Sequence, residues 1–249
     1  MFRPLLFVIC VVLCGCNSSA PPQQSAPVAP AVDPATASSL SGHVTFAGAV
    51  PPAGVIRLDG DPKCVTAAQG EVRHTEFIVS NDGKSLGNVF VYIKDGLAPR
   101  LYAVPNEPVV LDQQKCRYVP RVLGIQVGQP LEVRNSDPLM HNVRADAAVN
   151  RPFDFGQPLQ GIKTTHTFTT REVMIPVKCQ VHAWMRSYVG VLEHPFFAVT
   201  DANGRFSIPQ LPAGTYTIEA WHEQLGTATQ QVTLAAKDAK TLDFTFKAS

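Results

Sequence analysis

Short apolar runs separated by turn-forming residues recur along the chain from residue 40 onward. The runs HVTF, EFIVS, NVFVYIK, LEVRN, THTFTT and EVMIPVKC are rich in β-branched and aromatic residues and alternate roughly between apolar and polar positions. This alternation is typical of half-buried strands. Turn formers such as SNDGK and DANGR separate the runs. No window of a dozen residues keeps a period of 3.6, so the pattern predicts an all-β protein built as sandwiches or barrels.

A second unit is predicted beyond a boundary near His194-Pro195. Residues 200–226 follow the order strand, turn, strand, turn, strand, and the runs TQQVTL and TLDFTF come after them. With Gly204 at the first turn and Gly214 before the aromatic strand, this stretch resembles the carboxypeptidase regulatory-like domains. The resemblance implies a small transthyretin-like β-sandwich over residues 195–249. The run SGHVTFAG (41–48) is a candidate to complete its sheet from the other end of the chain.

The first residues predict export rather than a folded element. A positive start is followed by the apolar run LLFVICVVL, which is too short to span a membrane, and then by LCGC. This order resembles a bacterial lipobox, so residues 1–15 are interpreted as a lipoprotein signal peptide and Cys16 as the lipidated residue. The alternative is an ordinary cleaved signal with a chance cysteine. Residues 16–39, rich in Pro, Ala and Ser, are predicted to be a disordered tether.

Charge and cysteine content narrow the class of protein. The net charge is +1 and no basic stripe is present, so a nucleic-acid partner is not expected. Three of the six cysteines lie in the first sixteen residues, which leaves Cys64, Cys116 and Cys179. Cys64 and Cys116 lie in polar, loop-like contexts and are the expected disulfide in an oxidising compartment. Cys179 is then a single thiol, which is a liability outside the cytoplasm unless it is buried or bound to metal.

A group of potential metal ligands contains that thiol. The motif CQVHAWM places Cys179, His182 and Met185 three residues apart, and His141 follows a turn after the strand LEVRN. Two imidazoles, one thiolate and a weak thioether suit both Cu(I) and Cu(II). Zinc fits less well, because methionine is a poor zinc ligand and structural zinc sites use four strong ligands.

Other chemistries are not favoured by the sequence. A c-type haem would need a second cysteine before the histidine, and His222-Glu223 lacks the second histidine of a zinc protease motif. A multicopper oxidase is not expected, because there is one such site and no His-Cys-His tripeptide. Five histidines have no ligand-like neighbours and are expected in packing or surface roles: His43, His74, His166, His194 and His222.

NSDPLMHNV together with CQVHAWMRSYVGVLE resembles the cupredoxins, and the ligand spacing is most like that of amicyanin. The resemblance implies a cupredoxin-like Greek-key β-sandwich over residues 40–194, with one type 1 copper ion. It implies His141, Cys179 and His182 as equatorial ligands and Met185 as the axial ligand, with Met140 as a rival for the axial position. Asn142 would hydrogen-bond across to the ligand loop.

The function implied is electron transfer by Cu(II)/Cu(I) cycling, without enzyme activity. In the manner of cupredoxins, the outward edge of His182 would be the electron port. Leu139, Met140 and Trp184 would form an apolar docking patch around it for a redox partner protein. The alternative is a copper-binding, copper-trafficking or envelope-interaction module without redox turnover. The expected location is the bacterial cell envelope, in the periplasm, with a lipid anchor at Cys16.

Overall fold

The computed structural model describes residues 32–50, 52, 54–58, 60–70, 72 and 83–247. The predicted signal peptide (1–15), the lipidation site Cys16, most of the predicted tether and the run EFIVS lie outside these residues. The strand that follows the tether begins at Ser38, so it includes the last two residues of the predicted tether. Among the described residues, no helix has the length and apolar character that a membrane span requires.

The described residues form seventeen strands and one short helix, as the all-β prediction requires. The strands are β1 (Ser38–Ala47), β2 (Phe90–Asp95), β3 (Val109–Gln114), β4 (Arg117–Val119), β5 (Val122–Gln126), β6 (Pro130–Asn135), β7 (His141–Ala145), β8 (Phe153–Gln157), β9 (Lys163–Thr167), β10 (Glu172–Lys178), β11 (Arg186–Leu192), β12 (Phe197–Val199), β13 (Arg205–Leu211), β14 (Gly214–His222), β15 (Gly226–Leu234), β16 (Ala239–Thr241) and β17 (Phe244–Lys247). The helix is α1 (Pro62–Ala68).

Two sheets form the first sandwich. One sheet has the strand order β5-β11-β10-β7-β8 and the other has the order β4-β3-β6-β9. In β6, buried residues alternate with half-buried ones, so that Leu131 and Val133 point to the core. Across from them lie apolar residues of β7 and β10, such as Val143 and Val177. The core of this sandwich therefore forms between the two sheets.

The second sandwich combines both ends of the described chain. Its sheets have the orders β13-β1-β16, with β17 also paired to β1, and β12-β2-β14-β15. The expectation that SGHVTFAG completes the C-terminal sheet is thus confirmed. The division into 40–194 and 195–249 stays a prediction, but the sandwich around the C-terminal segment also includes β1 and β2. A unit of some fifty residues buries little apolar surface alone, and these two strands enlarge its core.

A third apolar cluster joins the two sandwiches. All of the first four residues of β2 are buried, because Val91 and Ile93 face the second core while Phe90 and Tyr92 face β5 and β11 of the first sandwich. A Cβ added at Gly124 of β5 would lie 2.3 Å from the ring of Phe197, so glycine permits this close approach. The two sandwiches thus pack through a shared apolar layer.

The helix α1 was not predicted. Asp61 caps it by accepting a hydrogen bond from the backbone N–H of Lys63 (2.9 Å), and Pro62 occupies its first turn. Cys64 and Ala68, one turn apart, are buried against the first core. The residues DPKC therefore begin a helix rather than a loop, and the Asp-Pro pair was the signal that could have indicated it.

Candidate metal centre

Strand pairing brings the predicted ligands to one end of the first sandwich. His141 is the first residue of β7, and the loop from Cys179 to Met185 connects β10 to β11. The end of β10 pairs antiparallel with β7. The loop is closed by two backbone hydrogen bonds, from Cys179 N–H to the Met185 carbonyl (3.2 Å) and from Met185 N–H to the His182 carbonyl (2.9 Å). The loop therefore lies beside His141.

Three potential ligand atoms converge in this region. The Nδ1 atoms of His141 and His182 are 3.1 Å apart, and Cys179 Sγ lies 3.7 Å from His182 Nδ1. Ligand atoms of these three residues all lie within 4.8 Å of one another, and the three residues are buried. A buried set of two imidazole nitrogens and one thiolate sulfur fits copper.

The Cys179 thiol is strongly acidified. Burial acts to raise its pKa, but hydrogen bonds from His141 and His182 outweigh that effect and lower the pKa to about 5. Backbone N–H groups of Asn142 (3.5 Å) and His182 (3.4 Å) also point to its sulfur. Cys179 is therefore a thiolate at neutral pH, the form that binds metal.

Each imidazole has a carboxylate on its other side. Asp137 Oδ2 lies 2.9 Å from His141 Nε2, and Asp61 Oδ2 lies 3.2 Å from His182 Nε2. Burial acts to lower the pKa of His141, but its hydrogen bonds with Asp137 and Cys179 outweigh burial and leave that pKa raised. The pKa of His182 is raised for the same reasons, with Asp61 as the carboxylate.

Neither carboxylate was predicted from the sequence. Asp137 could have been found from the turn Ser136-Asp137-Pro138, which ends three residues before His141. Asp61 is far from the other site residues in the sequence, and only α1 brings it to His182.

The expected disulfide lies directly beside the cluster. Cys64 and Cys116 are bonded, and Cys64 Sγ is 3.5 Å from His182 Nε2. Trp184 donates from its indole N–H to the Cys116 carbonyl (2.9 Å), and its ring centre is 5.2 Å from that of His182. Two other groupings of ligand-type residues share these sulfurs, but a sulfur in a disulfide supplies no thiolate.

The predicted electron port and docking patch need correction. His182 is only 2% exposed, because α1 and the disulfide cover its Nε2 edge. Leu139 is buried in the core and Trp184 is half-buried, whereas Met140 is 49% exposed. The three residues therefore do not form a continuous exposed patch around His182.

The remaining predicted site residues lie close by. Asn142 Oδ1 accepts a hydrogen bond from the backbone N–H of Gln180 (3.3 Å), which links β7 to the ligand loop. Met185 is buried in the same core as Cys179, and its axial role stays a prediction. Met140 contacts solvent, as noted above, which makes it the weaker candidate for the axial position.

The other described histidines have structural partners. His43 Nε2 lies 2.7 Å from the Ser85 hydroxyl, and His194 donates to the Ile93 carbonyl (3.0 Å). His166 packs among aromatic rings, and His222 is buried in the second sandwich. His74 lies outside the described residues.

Comparison with known families agrees with the resemblance of the C-terminal segment. Residues 191–247 match the family model of the carboxypeptidase regulatory-like domain. A search of curated proteins returned no match. Similar solved structures include the Cu-containing nitrite reductase from Thermus scotoductus SA-01, with 24% identity, coverage of 40% of this chain and 26% of that chain, and a TM-score of 0.34. This chain therefore spans about a quarter of the nitrite reductase.

Two smaller copper proteins are also similar. A reduced tryptophan-to-tyrosine mutant of amicyanin shows 27% identity over 35% of this chain and 85% of that chain, with a TM-score of 0.31. The purple cupredoxin from Nitrosopumilus maritimus shows 22% identity over 34% of this chain and 97% of that chain, with a TM-score of 0.28. The chain is similar to cupredoxins and carries a match to the carboxypeptidase regulatory-like family at its C-terminal end.

Proposed function

We propose that His141, Cys179 and His182, together with Met185, would hold one copper ion, and that the chain transfers single electrons. The observation that carries the proposal is the convergence of two Nδ1 atoms and one thiolate sulfur in a buried cluster. When bound, copper supplies the Cu(II)/Cu(I) couple.

The residues around the cluster suit a site that changes charge without changing shape. His141 is fixed by β7, while the two backbone hydrogen bonds within the loop fix Cys179 and His182. The N–H groups of Asn142 and His182 stabilise negative charge on the Cys179 sulfur. Burial keeps water from the three ligand atoms. A preorganised site of this kind needs little rearrangement when an electron moves.

The partner is proposed to be a redox protein of the cell envelope, to which this chain is tethered by lipid on Cys16. Because the Nε2 edge of His182 is covered, the redox partner is proposed to contact another part of the surface near the three ligands. Met140 is exposed and immediately precedes His141, and Val181 is exposed within the ligand loop. Small apolar surfaces of this type suit transient redox encounters.

Copper storage or delivery is the second candidate function. The observation that favours it is the exposed thioether of Met140 beside His141, because a soft sulfur at the surface can receive Cu(I). In this case the ion would leave the site, whereas an electron carrier retains it.

Repeated redox cycling in the presence of a Cu(I) chelator separates the two functions. The copper-loaded protein is reduced with ascorbate and reoxidised, and bound copper is measured after each cycle. An electron carrier keeps its copper over many cycles, while a delivery protein loses it to the chelator in the reduced state. Met140→Ser is the matched variant: it slows loss of copper only if this thioether is the exit.

A further inference from the structure

The imidazoles of His141 and His182 turn Nδ1 towards Cys179, and the Nε2 atom of each ring contacts a carboxylate. The Nε2–Oδ2 distances are 2.9 Å for His141 with Asp137 and 3.2 Å for His182 with Asp61. His141, His182 and Asp137 are buried, and Asp61 is half-buried. Both rings are thus in contact with a carboxylate on the side away from the thiolate.

Backbone groups hold each carboxylate in place. Asp137 accepts hydrogen bonds from the N–H groups of Lys115 (2.7 Å) and Cys116 (2.8 Å). Asp61 Oδ1 accepts from the N–H of Lys63 (2.9 Å) and leaves Oδ2 for the imidazole. The orientation of both side chains is therefore fixed by backbone N–H groups rather than by flexible side chains.

The disulfide connects the two anchoring segments. Cys64 directly follows Lys63, whose backbone N–H donates to Asp61. The backbone N–H of Cys116 itself donates to Asp137. The bond therefore ties together the supports of the two carboxylates across the histidine pair. This arrangement explains why a helix of seven residues, too short to be stable alone, stays against His182.

We propose that Asp61 and Asp137 are positioning residues for the copper ligands. Resting on the proposed function, the inference is that each carboxylate accepts a hydrogen bond from the Nε2–H of its imidazole, orients the ring and leaves Nδ1 as the ligand atom. A carboxylate partner also makes the imidazole a stronger donor. Stronger donation favours Cu(II) over Cu(I), so the two carboxylates lower the reduction potential of the site.

Asp61→Ser tests the inference, because serine still caps α1 but is too short to reach His182. Asp154→Ser is the matched control: it removes a carboxylate that binds the Asn142 side chain (2.7 Å) and no imidazole. Removing an outer partner typically costs about 10- to 100-fold in metal affinity. A tenfold loss confined to Cu(II) raises the potential by about 59 mV. We expect the reduction potential to rise in Asp61→Ser by more than any rise in Asp154→Ser.

A second measurement is independent of copper. In the metal-free protein, nitrogen-15 NMR of the ring reports whether Nε2 of His182 carries a proton and how fast that proton exchanges with water. We expect a protonated Nε2 with slow exchange in the wild type and in Asp154→Ser, and fast exchange in Asp61→Ser. An Nε2 without a proton, or equal exchange in all three proteins, would overturn the inference. An equal rise of potential in both variants would overturn it too, since the effect would then be charge alone.

The two measurements also separate this inference from the proposed function. If the wild type binds no copper, the proposed function fails and no potential is obtained. The NMR measurement still decides whether Asp61 positions His182.

Discussion

Histidine is buried in both sandwiches, but its surroundings differ. His194, next to the second core, donates to the Ile93 carbonyl and accepts from the N–H of Phe196 (3.2 Å). Burial lowers its pKa to about 4, so the ring is neutral. His141 and His182 are buried as well, yet the pKa of each is raised by a carboxylate and the Cys179 thiolate.

The difference shows what distinguishes a structural polar group from a potential ligand. On β2 and β14 of the second sandwich, donors meet acceptors: Glu219, for example, accepts hydrogen bonds from Tyr92 (2.5 Å) and from Lys94 (2.6 Å). In the cluster at the end of the first sandwich, three lone-pair atoms face one another instead. Such an arrangement is stable only with a cation between them, either a proton or a metal ion.

The largest expected effect on the free energy of unfolding comes from removing the disulfide beside this cluster. Replacing Cys64 and Cys116 with alanine removes a crosslink between residues 52 positions apart. The free energy of unfolding of the metal-free protein should fall by about 4 kcal/mol, since the unfolded chain regains the freedom of that loop. Chemical denaturation measures it, with Cys179→Ala as the control that removes a thiol without removing a crosslink. A double variant as stable as the wild type would contradict the prediction.

The pH dependence of stability tests the neutral state of His194. Its pKa in the folded protein is about 4, below the value of about 6.5 in the unfolded chain. The folded state therefore binds fewer protons, and the stability that this histidine contributes is present above pH 6.5 and is lost as the pH falls towards 4. The loss amounts to about 3 kcal/mol at pH 4.

His194→Gln isolates this contribution from the other titrating groups. Denaturation at a series of pH values should show a shallower decline for the variant than for the wild type in this window. Parallel curves would mean that His194 is charged in the folded protein, and the contrast with His141 and His182 would disappear.

A smaller loss of stability is expected when the packing between the two sandwiches is disturbed. In Gly124→Ala, the new methyl group would collide with the rings of Phe197 and Phe90. We expect a loss of about 2 kcal/mol in the free energy of unfolding, within the usual range for overpacking. Gly60→Ala is the control, because a Cβ added there would meet no atom within 4 Å and its φ lies outside the left-handed region, so it adds a methyl group without crowding. If Gly124→Ala costs nothing, the sandwiches do not pack this closely in solution.

The smallest effect is predicted for Met140→Ser. Because Met140 is half exposed, the free energy of unfolding should change by less than about 0.5 kcal/mol. The visible absorption band of the copper-loaded protein should keep its position, because Met185 is the proposed fourth ligand. A shift of this band in Met140→Ser would favour Met140 as the fourth ligand instead.

Much of the fold was accessible from the sequence because the strands alternate and the turns carry Asn, Asp and Gly. The pairing of β1 with β13 and β17 could only be suggested, since it joins residues about 160 to 200 positions apart. Likewise, β2 was recognisable as a strand, but its place in the second sandwich was not predictable. Both of its faces are apolar, and the sequence does not show which face packs against which core.

The candidate site was predictable where its residues are close in sequence or share a motif. Cys179, His182 and Met185 lie in one loop, and the turn before His141 marked a matching position. The position of α1 over His182 was not predictable. The seven residues of α1 carry no periodicity, and a disulfide brings Asp61 to an imidazole 121 positions away.

The measurement that tests the central claim most directly is an optical titration of the metal-free protein with Cu(II). If His141, Cys179 and His182 hold copper, an intense visible band should grow until one ion is bound per chain. The band should bleach with ascorbate, return on oxidation and be absent in Cys179→Ala. A protein that stays colourless, or a band that persists in Cys179→Ala, would contradict the claim that this thiolate is a copper ligand.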